Sequence, residues 1–123
     1  MAGPAGKGDE AMTLPEAEKK FALPLKTLED YVAFGFIRKV ENADNVPLYA
    51  DEDFDRLGLI QTLLSAGFTP EETRRYLSLS EGTGTVDEQV RMLRKRRGIL
   101  LSDIHRQQQL LDKIDFMIWN KKK

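Results

Sequence analysis

The side chains that could carry chemistry in this sequence are few in kind. The 123 residues include no cysteine and a single histidine, His105. This composition leaves no thiol nucleophile, no thiolate metal site, and too few imidazoles for a histidine metal cage or a proton relay. The 20 Asp and Glu residues are scattered over helical segments, where carboxylates are usually solvated. The sequence therefore predicts a protein that is not an enzyme and that uses no metal or cofactor.

Lysine and arginine are the remaining groups with a chemical use, because they bind phosphate and other anions. They number 19, and the formal net charge of the chain is −1. Residues 12–80 carry 8 Lys and Arg against 12 Asp and Glu, a net charge of −4. Residues 81–123 carry 10 against 6, a net charge of +4. An anion-binding site in the acidic part must therefore concentrate its few cations on one face.

Two short helices are predicted at the start of the acidic part. Thr13 and Glu16 have the spacing of a capping box, so a helix should cover about residues 14–20. Apolar residues recur at helical spacing over residues 25–32, and Gly35 can end that second helix in the left-handed conformation. The connection between the two helices is short enough to turn one across the other. This pattern predicts a helix-turn-helix, with an ordinary helical hairpin as the alternative.

A small hairpin and two further helices follow. Apolar residues on both sides of the polar segment 41–45 predict a wing of two short strands. Asp51 is placed to cap a helix that Gly67 would end. Thr69 and Glu72 repeat the capping box and begin the next helix.

The last segment predicts one helix of more than thirty residues, because no proline follows Thr85 and this residue forms a third capping box with Glu88. Alternating steps of four and three define a seam along it. The seam comprises Val86, Val90, Leu93, Arg97, Leu100, Ile104, Gln107, Leu111, Ile114 and Ile118.

A domain of about seventy residues cannot bury so long a seam, whereas two such helices can pair in a coiled coil. We therefore predict a homodimer, with packing of the helix along its own domain as the alternative. The predicted interface comprises Val90, Leu93, Leu100, Ile104, Leu111, Ile114 and Ile118. Arg97 and Gln107 would select the register or orientation of the pair. The predicted fold is mainly α: a winged helix-turn-helix domain with a two-stranded wing, followed by a long C-terminal dimerisation helix in an antiparallel coiled coil.

The order of these parts resembles the MerR family of bacterial transcription regulators. The segment LKTLEDYVAFGFI, residues 25–37, resembles the recognition-helix segment of that family. The segment LYADEDFDRLGLIQTLLSAGFTPEETRRYL, residues 48–77, resembles the stretch that follows the wing. The end of the chain, KIDFMIWNKKK, is similar to the tail of small members that lack a separate ligand-binding domain. The resemblance covers about residues 12–123.

The resemblance implies a dimer that binds a pseudo-palindromic promoter site in double-stranded DNA. The second helix of each subunit would enter the major groove, and the wings would contact flanking phosphates. RNA polymerase is a further implied partner. The residues implied to contact DNA are Lys20, Lys26, Thr27, Tyr31, Arg38, Lys39, Tyr49 and Arg56. For Tyr31 and Tyr49, packing in the core with a solvated hydroxyl is the alternative.

Three departures from the family pattern concern the recognition helix and the wing. Lys26 stands where the family usually has an arginine, and Glu29 stands where it usually has a second one. Asp30 replaces an aromatic residue, and residues 45–47 replace a glycine, an aromatic residue and an arginine. The alternative function is therefore a MerR-like scaffold that has lost operator binding and acts as a protein interaction module.

The chain is predicted to divide into three parts. Residues 1–11 have no apolar pattern and should form a flexible tail. Residues 12–80 form the winged-helix domain, and residues 81–123 form a linker and the long helix. The longest apolar run, as at residues 99–101, is far shorter than the roughly 20 residues that cross a bilayer. No export signal is recognisable, so a cytoplasmic protein without a membrane segment is expected.

Overall fold

The computed structural model describes residues 11–40, 46–80 and 86–123. Over these ranges the chain forms three short strands and six helices. In chain order they are β1 (Ala11–Met12), α1 (Leu14–Phe21), α2 (Leu25–Ala33), β2 (Lys39–Val40), β3 (Leu48–Ala50), α3 (Asp51–Phe54), α4 (Leu57–Ser65), α5 (Pro70–Leu79) and α6 (Val86–Lys122). The mainly α architecture, with a small sheet and a long last helix, confirms the predicted fold class.

α1 and α2 form the predicted helix-turn-helix. The capping box of α1 is complete: the Glu16 N–H donates to Thr13 Oγ1 at 3.2 Å, and the Thr13 N–H donates to Glu16 Oε1 at 2.8 Å. α2 has Pro24 as its N-cap, which offers no side-chain acceptor. Glu18 of α1 supplies one instead, because its Oε2 accepts a hydrogen bond from the Leu25 N–H at 3.2 Å. A carboxylate of the first helix therefore caps the second and helps to fix their angle.

Three helix ends use the left-handed conformation. Gly35 follows α2 with a φ of 88°, and Gly67 follows α4 with a φ of 104°. After α2, the Phe36 N–H donates to the Tyr31 carbonyl oxygen at 2.9 Å, as in a Schellman motif. Both glycines thus end helices as predicted. Ala22, which ends α1, adopts the same region with a φ of 57°, although a Cβ atom makes this conformation unfavourable.

The sheet has three strands, whereas two were predicted. β2 and β3 pair antiparallel as the expected wing, with Lys39 opposite Tyr49. β1 adds to the other edge of β3, with Ala11 opposite Ala50 and Met12 opposite Tyr49. Ala11 had been assigned to the flexible tail, and its pairing with β3 corrects that boundary by one residue. The predicted turn at 41–45 and the tail at 1–10 lie outside the described residues.

The prediction of one helix capped by Asp51 is wrong, because the structure has two helices here. Asp51 is itself the first residue of α3, and the residue before it is the N-cap. Between α3 and α4 the Arg56 N–H donates three residues back, to the Asp53 carbonyl oxygen, at 3.3 Å. The Arg56 guanidinium also donates to Asp53 Oδ1 at 3.0 Å. The helix is interrupted at Arg56, whose backbone leaves the helical conformation with a φ of −98° and a ψ of 6°, and the ion pair holds this residue to Asp53 across the break.

The core lies where α2, α3, α4 and the segment after α2 meet. Its apolar residues that are at most 2% exposed include Leu28, Phe36, Ile37, Phe54 and Ile60. Phe21 of α1 stacks on Phe54, with ring centroids 5.5 Å apart. α5 begins with the predicted capping box, since the Glu72 N–H donates to Thr69 Oγ1 at 3.0 Å. The Thr69 N–H donates in return to Glu72 Oε1 at 2.9 Å, and this backbone hydrogen bond lowers the pKa of Glu72.

α6 extends from the winged-helix domain and contacts it near its own N-terminal end. Gln89 Nε2 donates to the Tyr76 carbonyl oxygen at 3.1 Å, Arg75 forms an ion pair with Glu88, and Arg96 lies 3.9 Å from Glu72. At the standard rise its 37 residues span about 55 Å. None of these residues, all of which the structure describes, is buried. The predicted capping box at Thr85 lies outside the described residues.

Within the described ranges, no helix is long and apolar enough to cross a membrane. The same ranges contain no group of three or more His, Asp or Glu side chains that could hold a metal ion.

Candidate nucleic-acid interface

α2 buries one face in the core and exposes the other. Leu28 and Tyr31 point inward, with exposed fractions of 0% and 6%. Lys26 and Glu29 are exposed on the opposite side, and Thr27 is half-buried. In a helix-turn-helix, the exposed residues near the start of the second helix are those that can reach base edges. The candidate nucleic-acid interface is therefore centred on the first two turns of α2.

The cation at this position is already paired. Lys26 Nζ lies 2.8 Å from Asp30 Oδ1, one helical turn along the same face. The hydrogen bond and charge of Asp30 raise the pKa of Lys26, so the ammonium stays charged at neutral pH. An exposed pair of this kind is worth little energetically. Lys26 can therefore exchange Asp30 for a phosphate at small cost.

Glu29 is the exposed acceptor on the same face. Among the residues that the structure describes, none donates a hydrogen bond to it or forms an ion pair with it. Its side chain lines a groove of about 380 Å³ between the start of α1, α2 and the wing. The other lining residues are mostly apolar and comprise Thr13, Leu14, Pro15, Leu25, Val46, Pro47 and Tyr49. A free carboxylate thus faces solvent where the resemblance leads one to expect an arginine.

Two arginines that the sequence assigned to DNA converge on one buried carboxylate. Arg38 donates through Nε to Asp53 Oδ2 and through Nη2 to Asp53 Oδ1, each at 3.0 Å, and its backbone N–H also reaches Oδ2 at 2.8 Å. Arg56 Nη2 also donates to Oδ1, at 3.0 Å. The Asp53 side chain is 1% exposed, whereas that of Arg38 is 59% exposed. The arrangement joins the wing to α3 and α4.

The titration of this cluster follows from its contacts. Burial alone would raise the pKa of Asp53, but the hydrogen bonds and charge of Arg38, together with the charge of Arg56, outweigh it and hold that pKa below its usual value. The same contacts raise the pKa of Arg38. The Asp53 carboxylate and the Arg38 guanidinium are therefore both charged over the physiological pH range.

The remaining residues predicted to contact DNA are two exposed lysines and two buried tyrosines. Lys39 is exposed on β2, and Lys20 is exposed at the end of α1, where its Nζ lies 5.5 Å from the Phe21 ring centroid. Tyr31 and Tyr49 are only 6% and 9% exposed, and burial raises the pKa of Tyr31. Their rings are packed in the core, so a contact with DNA from either would be limited to its hydroxyl.

The sequence reasoning missed two residues that shape this surface. Asp53 organises both arginines, and its spacing of three residues from Arg56 was the available signal for a local ion pair. Glu18 caps α2, seven residues from Leu25 along the chain, and no local pattern indicates a contact across a turn.

The predicted dimer interface lies open on α6. Each of its residues is at least 37% exposed: Val90, Leu93, Leu100, Ile104, Leu111, Ile114 and Ile118. The hydrogen bonds and ion pairs of α6 with α5 use Glu88, Gln89 and Arg96, which lie outside the seam. The winged-helix domain therefore leaves the seam uncovered.

Comparison with known proteins identifies relatives over the winged-helix domain. A family model described as MerR HTH family regulatory protein matches residues 12–80. The HTH-type transcriptional regulator HmrR from Rhizobium leguminosarum bv. viciae is 32% identical over 80 residues, which are 65% of this chain. The chain spans 62% of the length of that relative.

Solved structures share the fold over nearly the whole chain. A MerR family transcriptional regulator from Listeria monocytogenes has a TM-score of 0.69 and 28% identity, over 91% of this chain and 86% of its own. HiNmlR, a MerR family regulator lacking the sensor domain and bound to promoter DNA, has a TM-score of 0.65 and 20% identity, over 89% and 88%. A MerR family regulator from Bacillus thuringiensis has a TM-score of 0.65 and 19% identity, over 89% and 97%. On the match over residues 12–80, the chain belongs to the MerR HTH family of regulatory proteins.

Proposed function

We propose that this protein is a dimeric, sequence-specific transcription regulator that binds a pseudo-palindromic promoter site. The observation that carries the proposal is the helix-turn-helix and wing of residues 12–80, with the start of α2 exposed. The DNA-bound state of HiNmlR, whose fold covers most of this chain, supports it. Contact with RNA polymerase and a cytoplasmic location belong to the same proposal.

The cations available for phosphate are few but grouped. Lys26 and Lys39 are exposed on α2 and the wing, and Lys20 is exposed at the end of α1. Arg38 keeps more than half of its side chain exposed while it holds Asp53. Phosphate contacts from these residues would orient the domain, and side chains at the start of α2 would read base edges. Because few cations are available to displace counterions from DNA, and the domain carries a net charge of −4, the affinity should be modest and should fall only shallowly as salt rises.

The dimer part of the proposal is supported by the open seam of α6. Unpaired apolar stripes of this length are unusual on a monomer, and pairing of two seams would cover them. A dimer with two-fold symmetry would present two copies of α2 to the two halves of an inverted repeat.

The experiment is enrichment of random-sequence duplex DNA on the purified protein, at low and at near-physiological salt. The expected result is an inverted repeat that is retained at the higher salt. The control is Leu100→Glu with Ile104→Glu, which should yield a monomer by light scattering and recover only weak half-site binding. Binding without sequence preference that disappears with salt would contradict the proposal and favour a protein interaction module.

A further inference from the structure

A small cavity lies between the segment that follows α2, the start of α4 and the second half of α5. Its volume is about 130 Å³, well below the roughly 300 to 1,000 Å³ of pockets that enclose drug-sized ligands. Every charged side chain in its lining is an arginine, and we call it the arginine cavity. It is lined by Gly35, Phe36, Arg38, Arg56, Arg74, Leu77 and Ser78.

The carboxylates that two of these arginines bind line a different cavity. Glu52 and Asp53 line a space of about 400 Å³ together with Arg38 and Arg56. The two arginines therefore separate a region that contains carboxylates from one that contains none. Both donate to Asp53 Oδ1 through Nη2 at 3.0 Å, so one buried carboxylate holds the two guanidinium groups next to each other.

The arginine cavity has hydrogen-bond donors that its present contacts do not use. A guanidinium group has five N–H donors. Arg38 uses Nε and Nη2 for Asp53 and Glu52, and its Nη1 donates to none of the residues that the structure describes. Arg74 Nη1 donates to the Phe34 carbonyl oxygen at 3.0 Å, and no carboxylate of the described residues pairs with this arginine. The cavity therefore combines unused donors with a positive charge that no ion pair balances.

The end of α2 holds Arg74 in this position. Gly35 has a φ of 88°, and a Cβ atom added there would lie 3.3 Å from Arg74 Cδ. The stem of the arginine therefore passes directly over the glycine backbone. The guanidinium group covers the Phe34 carbonyl at the negative end of the α2 dipole. This contact reduces the repulsion that the helix end would otherwise exert on an anion.

We propose that the arginine cavity binds the phosphate group of a small molecule, either inorganic phosphate or a phosphate ester. A phosphate group carries a charge of about −1.5 to −2 and three strong acceptor oxygens, so it can accept hydrogen bonds from several arginines at once. A planar carboxylate is matched by a single guanidinium fork. The apolar walls, Phe36 and Leu77, are 1% and 4% exposed, and contacts beside such walls are stronger than in water.

The arginine cavity lies apart from the residues proposed to read DNA, so the inference goes beyond the proposed function. Gly35 and Phe36 follow the C-terminal end of α2, whereas Lys26 and Glu29 lie in its first two turns. The nine residues of α2 span about 13 Å. A phosphate in the cavity would connect the end of α2 to α4 and α5 without covering the start of α2. A DNA phosphate is the competing occupant, because Arg38 is also expected to contact DNA.

Isothermal titration calorimetry with inorganic phosphate, at constant ionic strength in chloride, tests the site. Wild type should bind one phosphate per chain. Arg74→Gln should raise the dissociation constant about tenfold, because it removes the charge but keeps an amide that can donate to the Phe34 carbonyl. Arg94→Gln makes the same change at an exposed position of α6 and is the matched control, which should bind as wild type does. Absence of binding to wild type, or equal binding by wild type and Arg74→Gln, overturns the proposal.

A second variant tests the cavity without removing an arginine. Ser78→Asp places a carboxylate in the lining, where it would act as a built-in anion, so phosphate binding should be lost. Ser65→Asp makes the same change in the last turn of α4, outside the cavity, and carries a similar penalty from the helix dipole. Without phosphate, Ser78→Asp should therefore unfold at a higher urea concentration than Ser65→Asp.

Added phosphate should raise the urea midpoint of wild type and of Ser65→Asp more than that of Ser78→Asp. Phosphate also stabilises proteins by exclusion from their surface, and the comparison between variants removes this general effect. If phosphate stabilises Ser78→Asp as much as wild type, the cavity is not the binding site and the proposal is wrong.

Duplex DNA distinguishes a small-molecule site from a site for a DNA phosphate. At low salt, Arg74→Gln should change the affinity for a random-sequence duplex no more than Arg94→Gln does. A tenfold loss of DNA affinity in Arg74→Gln alone would mean that the cavity holds a DNA phosphate, and it would overturn the small-molecule assignment. DNA binding as such would survive that outcome, so the proposed function and this inference can fail separately.

Discussion

The winged-helix domain and α6 treat their apolar side chains in opposite ways. The domain buries its own, with Leu28, Phe36, Phe54 and Ile60 at most 2% exposed. Among the described residues, fourteen of the sixteen exposed large hydrophobic side chains belong to α6. The domain thus completes its core within one chain, whereas α6 leaves an apolar surface exposed along its length. Such a surface on a long helix is the feature on which the proposed dimer depends.

The winged-helix domain and the segment that contains α6 also have net charges of opposite sign. The domain, residues 12–80, has a net charge of −4, and residues 81–123 have a net charge of +4. Three cations of the domain, Lys26, Arg38 and Arg56, are paired with its own carboxylates. Ion pairs between α5 and α6, such as that of Arg75 with Glu88, link the two regions. The domain therefore has little positive charge to spare for DNA, and each exposed cation counts.

The largest contrast should come from matched phenylalanine truncations in the two regions. Phe54→Ala removes a ring that is 2% exposed and stacked on Phe21, so the free energy of unfolding should fall by about 3 to 5 kcal/mol. Phe116→Ala removes a ring that is 59% exposed and lies on the side of α6 away from the seam. It should change the free energy of unfolding by less than about 0.5 kcal/mol.

Urea unfolding at one fixed protein concentration measures both values, since the stability of a dimer depends on concentration. A comparable loss from the two variants would mean that the outer face of α6 is also packed in solution. The contrast between a completed domain and an open helix would then be wrong.

The next contrast concerns the buried charge of the domain. Asp53→Asn should lower the free energy of unfolding by about 3 kcal/mol, because two arginines lose the charge that they were arranged around. Asp55→Asn, at an exposed position two residues away, is the control and should be nearly neutral. A small effect at Asp53 would mean that the arginines, and not the carboxylate, hold the wing to α3.

The same variant has a pH signature. The folded-state pKa of Asp53 is below its ordinary value, so its contribution to stability is present above about pH 4 and is lost as the pH falls through the lower folded-state pKa. The difference in stability between wild type and Asp53→Asn should therefore narrow as the pH falls below about 4. A difference that stays constant over this range would contradict the direction of the shift.

Much of the fold could be predicted because its signals are local. The capping boxes at Thr13 and Thr69 and the glycine helix ends at Gly35 and Gly67 depend on residues within one or two turns. The errors arose where a distant contact decides the local structure. β1 forms because it can pair with the free edge of β3. The helix expected from Asp51 is interrupted at Arg56, which binds the same Asp53 carboxylate as Arg38.

The candidate site was less predictable than the fold. Residue types suggested phosphate contacts for Arg38 and Arg56, but only three-dimensional placement reveals that both serve a buried carboxylate. For Tyr31 and Tyr49 the sequence was equally compatible with packing in the core and with contact to DNA, and the structure places their rings in the core. By contrast, Lys26 and Glu29 were predictable as exposed neighbours, because Leu28 and Tyr31 fix which face of α2 is buried.

A smaller effect is expected from restoring charge to the DNA-facing surface. Glu29→Arg replaces a free carboxylate by a cation at the start of α2, so DNA affinity should rise about tenfold and become more salt-dependent, with weaker discrimination between sequences. Glu71→Arg makes the same charge change on α5, away from α2, and separates local contact from net charge. Lys26→Ala should weaken binding to all sequences. If the two arginine variants bind DNA equally well, α2 is not the reading helix.

The smallest contrast lies within the winged-helix domain and concerns strain. Ala22 has a φ of 57°, and among the described residues it is the one non-glycine in this region. Ala22→Gly removes the steric clash of the Cβ atom but increases the conformational entropy of the unfolded chain. The free energy of unfolding should therefore rise by a net amount of about 0.5 to 1 kcal/mol. Ala33→Gly makes the identical change at a helical position and should lose about 0.5 kcal/mol. If the two variants change the free energy of unfolding in opposite directions, the backbone strain lies at Ala22, in the turn between α1 and α2. Equal losses from both variants would mean that Ala22 is not left-handed in solution.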